Sequence, residues 1–337
     1  MVFVYYWPIL AKDMVLKPNV YTDWFMGLVE SVKINLLSLQ TGPCWSDIIL
    51  KGEQMHQHGY IGRKMRLPKL QTNPAIVIAA FGSTDKAKAA LDLFRENLEK
   101  AHPGVAVYWA YTSEIIRKRL NLPGLQQTLA QVEADGYRKV VVQPLHVFPG
   151  TEYQQVAETC AFFPGLRVFL SETLLHRWDF VKEILKAVEP EFLSPEEGWN
   201  LLALHGTPLA ADPVNIIYLG LERMVADLYP NVMAATVEGV PDHDAFFARL
   251  KRDNLAAQCR RIKIIPMMYF AGLHAEKDLM GETNSWKSSL EEIGFTVECP
   301  TVSFKGQSFF KGLAYYPEVT EGFLARLQRT LELAKHY

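Results

Sequence analysis

The sequence predicts an α/β protein made of two similar halves, each with a mostly parallel sheet covered by helices. Short, continuously apolar runs alternate with segments of helical periodicity from Ala75 onward. The same order of segments then occurs a second time. Matching residues recur in the two halves at nearly one offset, which is the signature of an internal repeat.

In the first half, three apolar runs have the length and composition of buried strands, and two amphipathic segments separate them. The first helix has Ser83 or Thr84 as its expected N-cap, and the second ends near Gly136. Strands that alternate with helices predict a parallel sheet. In chain order, the segments are "AIVIAAFG", "STDKAKAALDLFRENLEKAH", "VAVYWAYT", "LQQTLAQVEADGY" and "KVVVQPLHVF".

The second half repeats this order of strand and helix. Its segments are "NLLALHGTP", "NIIYLGLERMVADLY", "NVMAATVEG", "HDAFFARLKRDNLAAQC" and "RIKIIPMMYFAG". Phe81-Gly82-Ser83 matches His205-Gly206-Thr207 at an offset of 124, and Pro144 matches Pro266 at an offset of 122. The alternative is that the strands of any parallel sheet look alike. The repeat predicts domains at residues 71–195 and 196–337, preceded by an extension of unknown role at residues 1–70.

Composition excludes several classes of protein. The 337 residues carry a net charge of −2 with mixed signs, so no basic surface for nucleic acid is expected. The four cysteines are far apart, which favours isolated thiols over disulfides or a zinc cluster. No apolar run reaches the length of a membrane span, and the first residues make a poor signal peptide. A cytoplasmic protein without a membrane partner is therefore expected.

One histidine stands at the carboxyl end of a predicted strand in each half. His146 lies near the end of the third strand, and His205 precedes the glycine that ends the first strand of the second half. Ligands of open α/β sheets bind beyond these strand ends. Two imidazoles suit divalent ions such as Co²⁺, Fe²⁺, Ni²⁺ or Zn²⁺. Either histidine alone is more often a hydrogen-bonded core residue, but two of them at strand ends, one from each half, favour a metal site.

Two further residues, Glu172 and His274, extend this candidate metal site. Glu172 follows the apolar run "LRVFL", where it is either a metal ligand or a charge at a helix start. His274 follows the last predicted strand of the second half. The other histidines of the two halves stand in polar or helix-end contexts and are expected at the surface: His102, His176, His243 and His336.

Six motifs span nearly all of the regular region. They are "AAFGST", "YWAYTSEIIRKRL", "PLHVFPGTEY", "LHGTPLAADPVNIIY", "TVEGVPD" and "PMMYFAGLHAEKDLMGETNSWKSSLEEIGF". With these motifs, in the family's order, the region from about Ala75 to Leu333 resembles the anaerobic sirohydrochlorin cobaltochelatases of the CbiK type, which are class II chelatases.

The resemblance implies two Rossmann-like domains that face each other across a cleft. It implies insertion of Co²⁺ into sirohydrochlorin during cobalamin synthesis, without ATP or an organic cofactor. The family's two metal-binding, catalytic histidines correspond to His146 and His205, its metal-site glutamate to Glu172, and the histidine of its "GDHA" motif to His274. Leu204 replaces a family glycine. Leu273 replaces the family aspartate, so a carboxylate that would orient His274 is expected to be missing.

The carboxylates of sirohydrochlorin require hydrogen-bond donors. "FGST" and "HGTP" each precede a predicted helix, whose free N–H groups bind anions. The predicted substrate-binding residues are therefore Phe81, Gly82, Ser83, Thr84, Gly206 and Thr207, together with His274. Two alternatives stay open: ferrochelation with Fe²⁺ as the substrate metal, and a carrier of metal or tetrapyrrole without turnover. A homo-oligomer is compatible with the sequence.

Overall fold

The computed structural model describes residues 69–82 and 85–337. The predictions for residues 1–68, and those for Ser83 and Thr84, lie outside the described residues. Residues Leu67–Tyr337 form one compact unit, and this unit contains the two parallel sheets that the sequence predicts.

The first sheet has four parallel strands in the order β2-β1-β3-β4. Helices cover both faces, so a central strand has to be apolar on both sides. All six residues of β1 are completely buried. The strands are β1 (Ala75–Ala80), β2 (Val107–Tyr111), β3 (Lys139–Pro144) and β4 (Arg167–Leu170).

The second sheet repeats the first in strand order and register. Its parallel strands run β6-β5-β7-β8. Ala79 lies opposite Pro144 in the first sheet, and Ala203 lies opposite Pro266 in the second, as the two sequence offsets require. The predicted α/β class and its repetition are confirmed. The strands are β5 (Trp199–Gly206), β6 (Val232–Glu238), β7 (Arg261–Pro266) and β8 (Thr296–Glu298).

The predicted amphipathic segments are helical, with one interruption, and five further α-helices among the described residues lie outside those segments. The segment predicted as a single helix breaks at Asn254, whose φ of 51° is left-handed. The α-helices are α1 (Asp85–Ala101), α2 (Glu114–Leu120), α3 (Leu125–Ala134), α4 (Thr151–Ala161), α5 (Trp178–Val188), α6 (Val214–Leu228), α7 (His243–Arg252), α8 (Leu255–Gln258), α9 (Trp286–Ile293) and α10 (Pro317–His336).

Two helices pack across the two halves of the chain. The start of α5 meets α6, where the Trp178 ring lies so close to Gly220 that a Cβ there would be 2.5 Å from it. Helix α10 returns to the first sheet, and the Nζ atom of Lys139 in β3 donates to the carbonyl oxygen of Ala334 at 3.0 Å. One continuous apolar core includes residues of both sheets. The domain limits at 71–195 and 196–337 stay a prediction.

A β-hairpin that the sequence analysis does not predict follows the second sheet. It consists of β9 (Thr301–Phe304) and β10 (Gln307–Phe310). The turn residues Lys305 and Gly306 both have positive φ, 49° and 78°, as a two-residue type I′ turn requires. The hairpin reaches the first half, where the Nζ atom of Lys305 lies 2.9 Å from the Glu96 carboxylate.

The described residues agree with two expectations from composition. None of their helices combines the length and the apolar character needed to cross a bilayer. The described thiols of Cys160, Cys259 and Cys299 are free.

Candidate functional site

The carboxyl end of β5 presents His205 at an exposed turn. Its neighbour Gly206 has a φ of 81°, and a Cβ at this position would lie 1.7 Å from the carbonyl oxygen of Glu238. No side chain fits there, so glycine is required for the chain to turn against β6. The Nδ1 atom of His205 lies 3.1 Å from the Gly206 carbonyl oxygen. This turn holds the imidazole ring with its Nε2 atom directed away from the strand.

His274 meets His205 at this position. The two Nε2 atoms are 3.3 Å apart, and the rings are nearly perpendicular at 82°. His274 immediately precedes a π-helical turn, Ala275–Leu279, and its Nδ1 atom lies 2.6 Å from Oδ2 of Asp278. The expectation that His274 lacks an orienting carboxylate is therefore wrong. Asp278, one turn further along the chain, provides the orienting carboxylate that Leu273 cannot provide.

His146 lies in the loop that follows β3, because this strand ends at Pro144. Only 8% of the residue is exposed, and neither ring nitrogen has a hydrogen-bond partner among the described residues. Burial lowers the pKa of His146 to about 4, since removal from water disfavours the charged ring. The ring is therefore neutral near pH 7. The Glu152 carboxylate lies 3.8 Å from Nε2.

A buried aspartate joins the loops that carry the two strand-end histidines. Oδ1 of Asp212 accepts from the N–H of Thr151 at 3.2 Å, at the start of α4, and from the N–H of Val214 at 3.1 Å, at the start of α6. Partial removal from water, followed by repulsion from Asp212, raises the pKa of Glu152, although 57% of its side chain is exposed. Neither carboxylate is predicted from the sequence. The spacing of Asp212 ahead of a helix was the available signal.

Aromatic packing adds a second contact between the loop after β3 and the second half of the chain. Phe148, from this loop, meets Tyr218 of α6 edge to face, with ring centroids 5.0 Å apart. The loop that carries His146 is therefore packed against the helix that follows β5.

Glu172 lies beside the loop that carries His146, but its carboxylate contacts a different histidine. The N–H of Leu174 donates to the His146 carbonyl oxygen at 3.0 Å, so the two loops are adjacent. The Glu172 carboxylate, however, lies 2.8 Å from Nε2 of His176. The His176 side chain is only 15% exposed, so its expected surface position is wrong. The role of Glu172 as a metal ligand stays a prediction.

The predicted donors of the "HGTP" segment are largely occupied within the protein. The N–H of Thr207 donates to Glu238 at 2.9 Å, and its Oγ1 accepts from the N–H of Leu209 at 3.3 Å. The N–H of Val214 is bound by Asp212, and residues 208–213 separate Thr207 from α6. The role of Gly206 and Thr207 in binding substrate stays a prediction. In the first half, Phe81 is 41% exposed and available for contact.

The structure brings one pair of predicted residues, His205 and His274, into contact, and it does not gather all of the predicted residues into one cluster. Within residues 69–82 and 85–337, no three histidine, cysteine or acidic side chains form a group that could hold a metal ion. His205 pairs with His274, and His146 has Glu152 as its nearest carboxylate. Leu204 is completely buried in the core, so the loss of the family glycine does not obstruct His205.

The paired parallel sheets define a chelatase-like fold. A solved structure described as SirB from Bacillus subtilis with Fe³⁺ is similar, with a TM-score of 0.53 and 14% identity, and covers 78% of this chain and 98% of that one. At this identity, the similarity concerns the fold.

The chain belongs to the CbiK family of cobalt chelatases, which matches residues 74–332. One relative is the sirohydrochlorin cobaltochelatase CbiKC of Nitratidesulfovibrio vulgaris, 29% identical over 237 residues, which are 66% of this chain and 81% of the relative. Another is the sirohydrochlorin cobaltochelatase of Salmonella typhimurium, 24% identical over 273 residues, which are 77% and 97% of the two chains. The resemblance in the sequence motifs is thereby confirmed, and the protein is a metal chelatase.

Proposed function

We propose that this protein inserts Co²⁺ into sirohydrochlorin, with His146 and His205 handling the metal and no organic cofactor. The observation that carries the proposal is the exposed imidazole of His205 at the carboxyl end of β5, in a chain of the cobalt chelatase family. The tetrapyrrole substrate, sirohydrochlorin, is inferred from the names of the two relatives. Ligands are expected at such strand ends in open α/β sheets.

Insertion exchanges two pyrrole N–H protons for one divalent ion, so the protein has to bind the ion and accept protons. An imidazole binds a metal only through an unprotonated nitrogen. The low pKa of His146 keeps its ring unprotonated near neutral pH. Glu152, close to His146 and with a raised pKa, is the carboxylate suited to accept a proton as the metal leaves its ligands.

Iron insertion is the second candidate. The similar solved structure is described with Fe³⁺, and imidazole ligands do not by themselves distinguish Fe²⁺ from Co²⁺. The alternative of a carrier without turnover was based in part on Leu204, which replaces a family glycine. Because Leu204 packs in the core while the neighbouring His205 points out of the sheet, this replacement gives no reason to expect loss of turnover.

The test mixes the full protein with sirohydrochlorin and Co²⁺ and follows the absorption spectrum of the macrocycle. We expect insertion faster than the protein-free control, and a rate reduced to that control in His146→Ala and His205→Ala. His336→Ala, which removes an exposed histidine from α10, is the matched control. Stoichiometric binding without acceleration contradicts an enzyme, and full rates in the two site variants contradict the assigned residues. Repetition with Fe²⁺ and Ni²⁺ gives the metal preference.

A cytoplasmic location and a homo-oligomeric state belong to the same proposal. Cell fractionation and size-exclusion chromatography with light scattering test them. Neither enters the argument about the histidines.

A further inference from the structure

The hydrogen bonds of His205 and His274 determine where each ring carries its proton. A carboxylate only accepts, so the Nδ1 atom of His274, 2.6 Å from Asp278, is the protonated nitrogen. A carbonyl oxygen also only accepts, so Nδ1 of His205, 3.1 Å from the Gly206 oxygen, is protonated too. In each neutral ring, the remaining nitrogen, Nε2, then carries a lone pair.

The two Nε2 atoms that carry these lone pairs lie close together. The Nε2 atoms are 3.3 Å apart, and neither has a hydrogen to donate in the neutral rings. Two acceptors this close repel unless a cation lies between them. Their convergence therefore indicates a cation-binding pair.

The separation fits a metal ion. A tetrahedral ion of the zinc type, with metal–nitrogen bonds of about 2.0–2.1 Å, holds two nitrogen ligands about 3.3–3.4 Å apart. The observed distance of 3.3 Å matches this spacing. Both side chains are exposed enough for an ion to enter, since His274 keeps 48% of its side chain accessible.

We propose that His205 and His274 together bind the divalent ion before its transfer, and that Asp278 is the positioning residue for His274. This inference rests on the proposed function, because it adds His274 to the two histidines, His146 and His205, that handle the ion there. With two protein ligands, the ion keeps coordination positions open, as release to a macrocycle requires. The carboxylate bound to Nδ1 fixes the ring's orientation and makes Nε2 a more basic ligand for the metal ion.

The test measures Co²⁺ binding by the full chain without tetrapyrrole, by calorimetry and by X-ray absorption at the cobalt edge. We expect two imidazole ligands in the wild type and one in His274→Ala, with affinity at least about tenfold lower. His274→Gln keeps most of the side-chain volume and is expected to lose the same ligand. His336→Ala is the matched control and is expected to bind Co²⁺ as the wild type does.

Asp278 is tested by comparing two substitutions. Asp278→Ala removes the acceptor and is expected to weaken Co²⁺ binding by about 10- to 100-fold. Asp278→Asn keeps an acceptor oxygen for Nδ1 and is expected to recover much of that loss. A purely structural role predicts equal effects of the two substitutions, and equal effects would overturn the positioning role.

The outcomes separate this inference from the proposed function. Wild-type affinity and an unchanged ligand count in His274→Ala overturn the metal pair, whether or not the protein inserts cobalt. Co²⁺ binding that is unaffected by both His205→Ala and His274→Ala shows that the rings share only a proton. If the wild type binds Co²⁺ through both rings but does not accelerate insertion, the proposed function fails and the metal pair stands.

Discussion

Burial of His146 as a neutral ring is expected to make the protein lose stability in mild acid. The pKa of this ring is about 4 in the folded protein and about 6.5 in an unfolded chain. Between these values, the unfolded chain binds a proton that the folded protein does not. The contribution is therefore fully present above about pH 6.5 and is lost as the pH falls towards 4. The difference amounts to about 3 kcal/mol in total, and to about 2 kcal/mol between pH 7 and 4.5.

The assay is urea unfolding at a series of pH values with a chelator present, so that no metal stabilises the folded state. His146→Gln removes the titrating group, and its free energy of unfolding is expected to fall by about 2 kcal/mol less than that of the wild type between pH 7 and 4.5. His336→Gln, at an exposed position, is expected to follow the wild type. Parallel curves for wild type and His146→Gln would refute the assignment of a buried, neutral ring.

Two further predictions concern the loops that hold the site. Gly206→Ala places a Cβ 1.7 Å from the Glu238 oxygen at a left-handed φ and is expected to cost about 3 kcal/mol; an unchanged melting temperature would contradict this. Asp212→Ala removes the acceptor for the N–H groups of Thr151 and Val214. It is expected to cost about 1–2 kcal/mol in urea unfolding, with Asp212→Asn recovering most of it; equal losses in both variants would argue against the cap.

Much of the fold was predictable because buried parallel strands and amphipathic helices have strong local patterns. The two offsets also predict that the two sheets share the same strand register. In the structure, Ala79 and Ala203 do lie opposite equivalent prolines. The limit of β3 was less predictable, because the apolar run continues past Pro144 into the loop. Sequence pattern alone therefore could not show that His146 lies beyond the strand and has no hydrogen-bond partner.

The site was predictable in its residue types and less so in its pairings. His205 lies at the end of β5 and His274 in the loop that follows β7. Their contact joins two distant parts of the chain, so no local sequence pattern predicts it. The partner of His274 did leave a signal, because Asp278 lies four residues later, a spacing that brings side chains together on one helical turn. The contact of Glu172 was missed although the spacing is the same: His176 follows four residues later, and its Nε2 atom contacts the Glu172 carboxylate.

The packing of α10 on the first sheet determines when that sheet can be completed during synthesis. Lys139 and Ala334 are 195 residues apart in the chain yet hydrogen-bonded, so β1 to β4 emerge from the ribosome long before the helix that covers part of them. Loop closure over this distance is entropically costly and slow. A nascent chain that stops before Pro317 leaves apolar sheet surface open to chaperones. Truncations within α10 are therefore expected to lower the yield of folded protein before they lower its rate of metal insertion.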